Sequence, residues 1–410
     1  MARALFLLLI LYCITFELYG QPGRQFAGPV ESNLIRESGG NITLYVSIRI
    51  PFHELIFEKK DSVYTSGFSF QCELFDAEKL IERKSAEEKV SVNSYESTLD
   101  ESGWLQAFIS FKLGNSKFMV KPYLLRFNTS ESIPLNEITI DPALNNRIFR
   151  PVVAEASQND KAFYLVNRGG VIPWDGTGYF LLIPAPDSIR NTRIKISQFQ
   201  QSLIDTLASD LKIINFSFNM GGDRIILSGT ELIGNNSGYL ILTVPASVEE
   251  GDLQISIENG KKRTIFNIPV VWLNKPFILG NLDQSIKLLN VITDGKAAEI
   301  IRSAPNDTQY RLLKKEWDKI AGISGGGVNP LMKEFYSRAD YTLKNFSWNG
   351  QMNGAESDRG KIYLRFGKPT GIERTYNNKN EITETWYYSD LDKEFIFEDT
   401  GGKGNFVLRR

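Results

Sequence analysis

The chain has 410 residues, with 47 Lys and Arg against 48 Asp and Glu and a formal charge of -1. That balance excludes the broad basic footprint by which proteins hold nucleic acid or anionic lipid. The single histidine, His53, excludes a histidine-rich metal site and leaves a Ser-His-Asp hydrolase without support.

At the N-terminus, Arg3 precedes an apolar run from Leu5 to Ile14, and Leu18-Tyr19-Gly20 offers a small residue before Gln21. This reads as a signal peptide over residues 1–20. The run is shorter than the roughly 20 residues a spanning helix needs, and no later stretch qualifies, so the mature chain is expected to carry no transmembrane helix. Tyr12 stands before Cys13, where lipid-attachment signals have a small residue. Removing the signal leaves Cys72 as the one mature cysteine, so no internal disulfide is expected and stability must come from apolar cores. An exported chain without disulfides fits a bacterial envelope, with the protein periplasmic, outer membrane-associated or secreted. About 390 remaining residues suffice for two or three domains.

From Ile42, apolar residues alternate with polar ones (Ile42, Leu44, Val46, Ile48, Ile50), the period-two pattern of a strand with one buried face. Phe68, Phe70, Cys72 and Leu74 repeat it, which places the Cys72 thiol in a core rather than at a reactive surface. Further strands are expected at Trp104 to Lys112 and Phe118 to Phe127, whereas the charged stretch from Asp76 to Lys89 carries helical periodicity. His53 follows Pro51-Phe52 at a strand exit, a turn position. Residues 30–145 are read as a first antiparallel β-sandwich. Strand-like runs at 148–154, 162–167, 178–183, 212–218, 224–227, 239–244, 253–258 and 264–272 are separated by Gly, Asn, Asp and Pro turn signals. They predict a second Ig-like sandwich over 147–274.

After Pro276 the period changes. Leu282, Ile286, Leu289 and Ile292 recur at helical spacing, followed by Ala297 to Arg302 and by Asp307 to Ile320 with Tyr310, Leu313 and Trp317. Gly325 to Gly327 lack the Gly-Lys-Ser/Thr and the preceding strand of a phosphate cradle and read as a flexible linker. Asn329 is an N-cap and Pro330 a first helical residue for a helix with Met332, Tyr336, Ala339 and Leu343 on one face. In "NGAESDRGKIYLRFGKP", Ile362, Leu364 and Phe366 alternate with Lys361, Tyr363 and Arg365, which predicts a strand with a basic, aromatic second face entered through a Ser357-Asp358-Arg359-Gly360 turn. Runs at Glu384 to Tyr388, Lys393 to Glu398 and Phe406 to Arg409 complete a small antiparallel sheet. Residues 280–410 are therefore read as an α+β domain, and the whole chain as mainly β with that domain at its end. Asp390, Asp392 and Glu394 alternate without the loop and glycine of an EF-hand and read as a solvated turn.

These C-terminal residues carry a resemblance. The helix with "KEFYSRADYTLKNFS", then "GAESDRGKIYLRFGKP", "ETWYYSD" and "KEFIFED" resemble the GWxTD domain of exported proteins from Bacteroidota-like bacteria, which commonly follows β-rich regions. The "VSIRIPFHELIFEKKDSVYTSGFSFQCELFD" segment resembles the first β-rich part of such proteins. The name motif falls on Gly354, Ala355, Glu356, Ser357 and Asp358, with Ala355 where the family has Trp and Ser357 where it has Thr. Loss of the aromatic removes a stacking anchor, while Ser keeps a hydroxyl able to cap a turn. The resemblance implies no reaction.

Two readings of the motif stand. In one, Ser357, Asp358 and Gly360 are turn chemistry and Arg359 pairs with a carboxylate. In the other, Ser357, Asp358, Arg359, Gly360, Lys361, Tyr363 and Arg365 form a binding site for an acidic peptide end, a glycan or a phosphate-bearing ligand. No catalytic residues, metal ligands or cofactors are expected, because little of an active-site constellation is present. The expected function is a non-enzymatic envelope or secreted protein whose C-terminal domain binds a protein partner. The alternative is a glycan-binding or glycan-processing surface protein, for which Trp104, Trp174 or Trp348 would line a groove.

Overall fold

A computed structural model describes residues 30–409 apart from 37–40, 101, 128, 130, 143–147, 158–161, 186–191, 232–237, 261, 324–325, 348–352 and 378–380. The proposed signal peptide lies outside the described residues. No described helix is long and apolar enough to cross a membrane. The chain forms two compact units: residues 1–145 with 167–169 and 220–225, and the remainder through 410.

The first unit contains strands β1 (Glu31–Arg36), β2 (Ile42–Pro51), β3 (Glu58–Lys60), β4 (Val63–Asp76) and β5 (Lys79–Val92), a short helix α1 (Tyr95–Thr98), then β6 (Trp104–Leu113), β7 (Phe118–Arg126), β8 (Ser132–Pro134) and β9 (Ile138–Ile140). One sheet runs β1-β2-β6 and the other β3-β4-β7-β8, with β5 on β4 and β9 on β7. All these pairs are antiparallel, and the alternating residues Leu44, Val46, Ile48 and Ile50 of one sheet pack with Phe68, Phe70, Cys72 and Leu74 of the other. Burial pushes the Cys72 thiol pKa up, so it stays protonated within that core.

The charged stretch read as helical is strand β5. Pairing along nearly all of β4 decides the matter, and burial alternates along it, with Glu82, Lys84, Ala86, Glu88 and Val90 half-buried between exposed neighbours. Local propensity for helix yields to a ladder this long. Its mixed charges suit an outer strand, because they discourage pairing with another chain. Asn167, in the left-handed region at φ 51°, is buried in this unit. Its amide donates to Ile48 O and Gln106 Oε1 and accepts from Ser47 Oγ at 2.8 Å.

The second unit, which excludes residues 220–225 of the strands named here, begins with β10 (Val152–Ala156), β11 (Ala162–Leu165), β12 (Ile172–Pro173), β13 (Tyr179–Ala185), β14 (Arg193–Gln198), β15 (Gln201–Leu207), β16 (Ile213–Gly221), β17 (Arg224–Glu231), β18 (Gly238–Thr243), β19 (Gly251–Asn259) and β20 (Lys262–Val271). A sheet β10-β11-β17-β16-β18-β13 closes on itself, and a second runs β12-β20-β19-β14-β15. Leu181, Ile183, Leu240 and Leu242 of the first meet Ile194, Ile196, Ile255 and Ile268 of the second in one core.

Helices α2 (Leu282–Leu289), α3 (Lys296–Ser303), α4 (Asn306–Ala321) and α5 (Pro330–Phe346) follow. They share that core rather than standing apart, through Ile286, Leu313, Trp317, Phe335, Tyr336 and Ala339. Polar contacts reinforce the join: Tyr310 of α4 donates to Glu250 at 2.8 Å, and the Asp340 carboxylate of α5 accepts the N–H groups of Phe277 and Ile278. The glycine-rich stretch is correspondingly not a free linker where it is described. A Cβ on Gly326 would lie 2.0 Å from Ala246 O, and Gly327, at φ 92°, lies against Gly176.

Helix α6 (Asp358–Phe366) and strands β21 (Gly371–Tyr376), β22 (Ile382–Tyr388), β23 (Lys393–Asp399) and β24 (Val407–Leu408) complete the chain. The strands form an antiparallel sheet in the order β21-β22-β23-β24, and Ile362, Trp386, Tyr388, Phe397 and Phe406 form its core with α6. The chain is thus mainly β with a C-terminal α+β part. Trp317 is completely buried against Phe335 and Tyr336, with ring centroids 5.0 and 5.6 Å away. Trp317→Ala is expected to cost about 4 kcal/mol, through lost transfer energy and the cavity left behind, read as a shift in the denaturant midpoint with the slope unchanged.

Candidate functional site

The strand expected over 361–366 and the turn expected over 357–360 are instead helix α6 and its Ser357 cap, and the correction has a local cause. Ser357, extended at φ -63° and ψ 160°, is the N-cap: its Oγ accepts the Gly360 N–H at 3.0 Å and donates to Gly354 O at 2.6 Å. Asp358 supplies negative charge to the first turn and Arg365 positive charge to the last, and Gly367 at φ 80° then ends the helix ahead of Pro369. The alternation of Ile362, Leu364 and Phe366 spans too few residues to outweigh these boundary signals.

Backbone proximity fixes the rest of the motif. A Cβ on Gly354 would stand 2.1 Å from the Thr342 carbonyl oxygen of α5, and one on Gly360 would stand 2.0 Å from the Gly354 carbonyl oxygen. Both glycines are therefore required by contact rather than by backbone dihedral. Ala355 between them is fully buried. Asn353 accepts the Ala355 N–H at 3.0 Å and starts the single 3-10 turn over Gly354–Glu356.

The seven candidate residues separate into three groups. Ser357 and Gly360 are buried packing and capping elements. Arg359 is 9% exposed and points into the sheet core, with its guanidinium 3.9 Å from the Phe406 ring centroid and 3.4 Å from Glu384 Oε1. Tyr363 stacks on Tyr341, with centroids 4.7 Å apart and planes 14° apart. Asp358, Lys361 and Arg365 instead line a groove of about 530 Å³ with Lys287, Leu288, Asn290, Val291, Glu356, Ile362 and Leu408. Sequence reasoning missed the contribution of α2, because Lys287 and Val291 are about seventy residues away in the chain from the α6 residues they face.

The groove has an apolar floor and a charged rim. Lys287 pairs with Glu356, Lys361 lies 3.5 Å from Asp358, and Arg365 Nε donates to Val291 O at 3.2 Å. Asp358 has a second duty, accepting the Leu408 N–H of β24 at 3.0 Å. Behind this rim, Glu384 is 3% exposed and receives Arg374, Arg359 and the Trp386 indole N–H at 2.7 Å. Burial alone would raise its pKa; the hydrogen bonds from Arg374 and Trp386 and the two guanidinium charges outweigh it and hold the carboxyl below the usual range. Burial lowers the pKa of Arg359, opposed by Glu384.

Among the described residues no cluster of His, Cys, Asp and Glu suits a metal ion. Asp390 lies within a single 3-10 turn, Ser389–Leu391, and Asp392 follows as its C-cap, left-handed at φ 48°. Trp174, Trp272, Trp317 and Trp386 are buried. Trp104 is half-buried beneath the Arg49 guanidinium, 3.6 Å from its ring centroid, and Trp348 lies outside the described residues.

Four helices and a capped nine-residue helix packed beside a small antiparallel sheet define an α+β domain. Residues 278–410 match the GWxTD domain. No curated protein matches the chain. Solved structures with similarity include a titin fragment (9% identity, 61% of this chain and 98% of that one, TM-score 0.15). Others are the BSP domain of a biofilm-associated protein (9%, 61% and 67%, TM-score 0.15) and an ICAM-5 D1–D4 ectodomain fragment (10%, 62% and 71%, TM-score 0.15).

Two variants test this geometry. Gly360→Ala is expected to cost about 3 kcal/mol, since its methyl meets a backbone carbonyl that cannot turn aside, measured by thermal or urea unfolding. Glu384 contributes stability that is present above the ordinary glutamate pKa and lost as pH falls through its lowered folded value. Glu384→Gln should lose about 3 kcal/mol at neutral pH by leaving Arg359 buried without its counter-charge, and its stability should fall less steeply than that of wild type below about pH 4.5.

Proposed function

We propose that this is a non-enzymatic interaction protein, exported to the bacterial envelope or beyond, whose GWxTD domain takes a segment of a protein partner in the groove between α2 and α6. The observation that carries the reading is the groove itself. Leu288, Val291, Ile362 and Leu408 offer an apolar floor for one inserted side chain, and Lys287, Lys361 and Arg365 surround it. Recognition sites commonly combine such a floor with a few convergent polar groups. Lys287 and Lys361 are held by exposed pairs, which contribute little net stability and exchange readily for a partner's carboxylate, while Arg365 is held by the Val291 carbonyl. The partner segment favoured is therefore an apolar side chain flanked by acidic residues. Export rests on the N-terminal sequence pattern, and the sandwiches act as spacers or secondary docking modules.

The experiment is a cross-linking pull-down from the envelope of the native host with wild type and with the Lys361→Glu/Arg365→Glu double variant. Both positions lie on the groove rim; Arg365→Glu also gives up the hydrogen bonds to Val291 O, about 2 kcal/mol, so thermal melts of both proteins are run first to establish that the variant is folded. It is expected to lose about tenfold or more of one specific captured protein, because charge reversal at a rim sets like charges opposite an acidic partner. Equal capture by both proteins would sink the groove reading. A glycan recovered in place of a protein would favour the alternative.

A further inference from the structure

The C-terminal sheet has two edges, and they differ. Arg409 N–H donates to Ile396 O at 2.7 Å, which sets the hydrogen-bond phase of β24 and turns the Leu408 backbone outward. Its outward N–H is occupied by Asp358 Oδ2. That edge is closed, and β24 is only two residues long.

At the opposite edge the phase is equally fixed. Asn377 N–H donates to Glu381 O at 3.1 Å, in line with the Tyr376↔Ile382 register. Gly371, Glu373 and Thr375 therefore turn their backbone groups to β22, while Ile372, Arg374 and Tyr376 turn theirs away from the sheet. Strand β21 is terminal in the sheet, and among the described residues no backbone group pairs with those outward positions. Ile372 is 57% exposed and Tyr376 67% exposed, on one face of this open edge. Long exposed apolar edges are surfaces that bind another strand.

We propose that β21 is the interface for a second copy of this chain, two β21 strands pairing antiparallel about a two-fold axis at Arg374. In this register every outward N–H and C=O of Ile372, Arg374 and Tyr376 finds a partner. Ile372 stands opposite Tyr376 of the second copy, an aliphatic–aromatic cross-strand pair. The two Arg374 side chains face each other with their charges already met by Glu384, to which Arg374 Nε donates at 3.0 Å. Centring on Glu373 would oppose two carboxylates and leave Tyr376 beyond the overlap. Pairing of β21 with β24 of another copy is blocked by Asp358, so the contact is isologous and closes as a dimer instead of propagating. The proposal does not rest on the groove.

The test is sedimentation equilibrium of the full chain, with Ile372→Pro and Tyr376→Lys. Proline at 372 deletes an N–H that β22 does not use, so the sheet should survive it. Wild type should show a monomer–dimer equilibrium. Ile372→Pro should weaken it about 30-fold, the worth of two ordinary hydrogen bonds per dimer, and Tyr376→Lys should weaken it as well. Lys361→Glu should leave it unchanged, which separates this interface from the groove. Backbone amides of residues 372, 374 and 376 should exchange more slowly as wild-type concentration rises. A wild type that stays monomeric at its highest soluble concentration, or a dimer indifferent to both edge variants, overturns the proposal. Capture of a foreign extended segment on β21 without self-association overturns it also.

Discussion

The C-terminal architecture depends on three backbone segments brought into contact without intervening side chains. Gly354 sits on the Thr342 carbonyl of α5, and Gly360 sits on the Gly354 carbonyl. Any Cβ at either position would push α6 away from α5. Ser357 could then no longer bridge the two glycines, and the Asp358 carboxylate would leave the Leu408 amide. The motif is thus a joint that sets the angle of a helix, and that helix in turn supplies one wall of the groove and one closed end of the sheet.

That dependence joins structural and functional readings of the same seven residues. Ser357, Arg359 and Gly360 face inward and define the joint, whereas Lys361 and Arg365 face the groove from the same helix. Asp358 belongs to both groups, since its carboxylate reaches Leu408 and lies beside Lys361. Glu384 stabilises the joint from the sheet side. Its carboxylate meets Arg359 from α6 and Arg374 from β21, so the helix and the open strand are tied to one buried anion. A buried carboxylate with two cations and an indole donor is fully served in hydrogen bonds, the condition under which such a group is retained in a core.

The sandwich strands were legible because one-sided burial imposes strict alternation, as at Leu44, Val46, Ile48 and Ile50, and the long helices because Leu313 and Trp317 or Met332 and Tyr336 recur at helical spacing. Two segments misled for opposite reasons. In Lys79–Val92 charge spacing suggested a helix, but a partner strand of the same length overrode local preference. In Asp358–Phe366 three alternating apolar residues suggested a strand, but the Ser357 cap and Gly367 stop defined a helix. Strands β14, β15 and β21 escaped notice because Arg193–Gln198, Gln201–Leu207 and Gly371–Tyr376 are short and bear polar residues at half or more of their positions. The groove needed the pairing of α2 with α6, a long-range contact with no local trace.

The buried Cys72 has a kinetic consequence. Its thiol is wholly inaccessible and held protonated, so reagents that require a thiolate cannot reach it while the first sandwich is intact. With no competing thiol among the described residues, the rate of Cys72 alkylation is a clock for the opening of that sandwich. A single endogenous atom, placed between Phe70 and Leu74, thereby reports the stability of one unit of a two-unit chain without a label or an engineered probe.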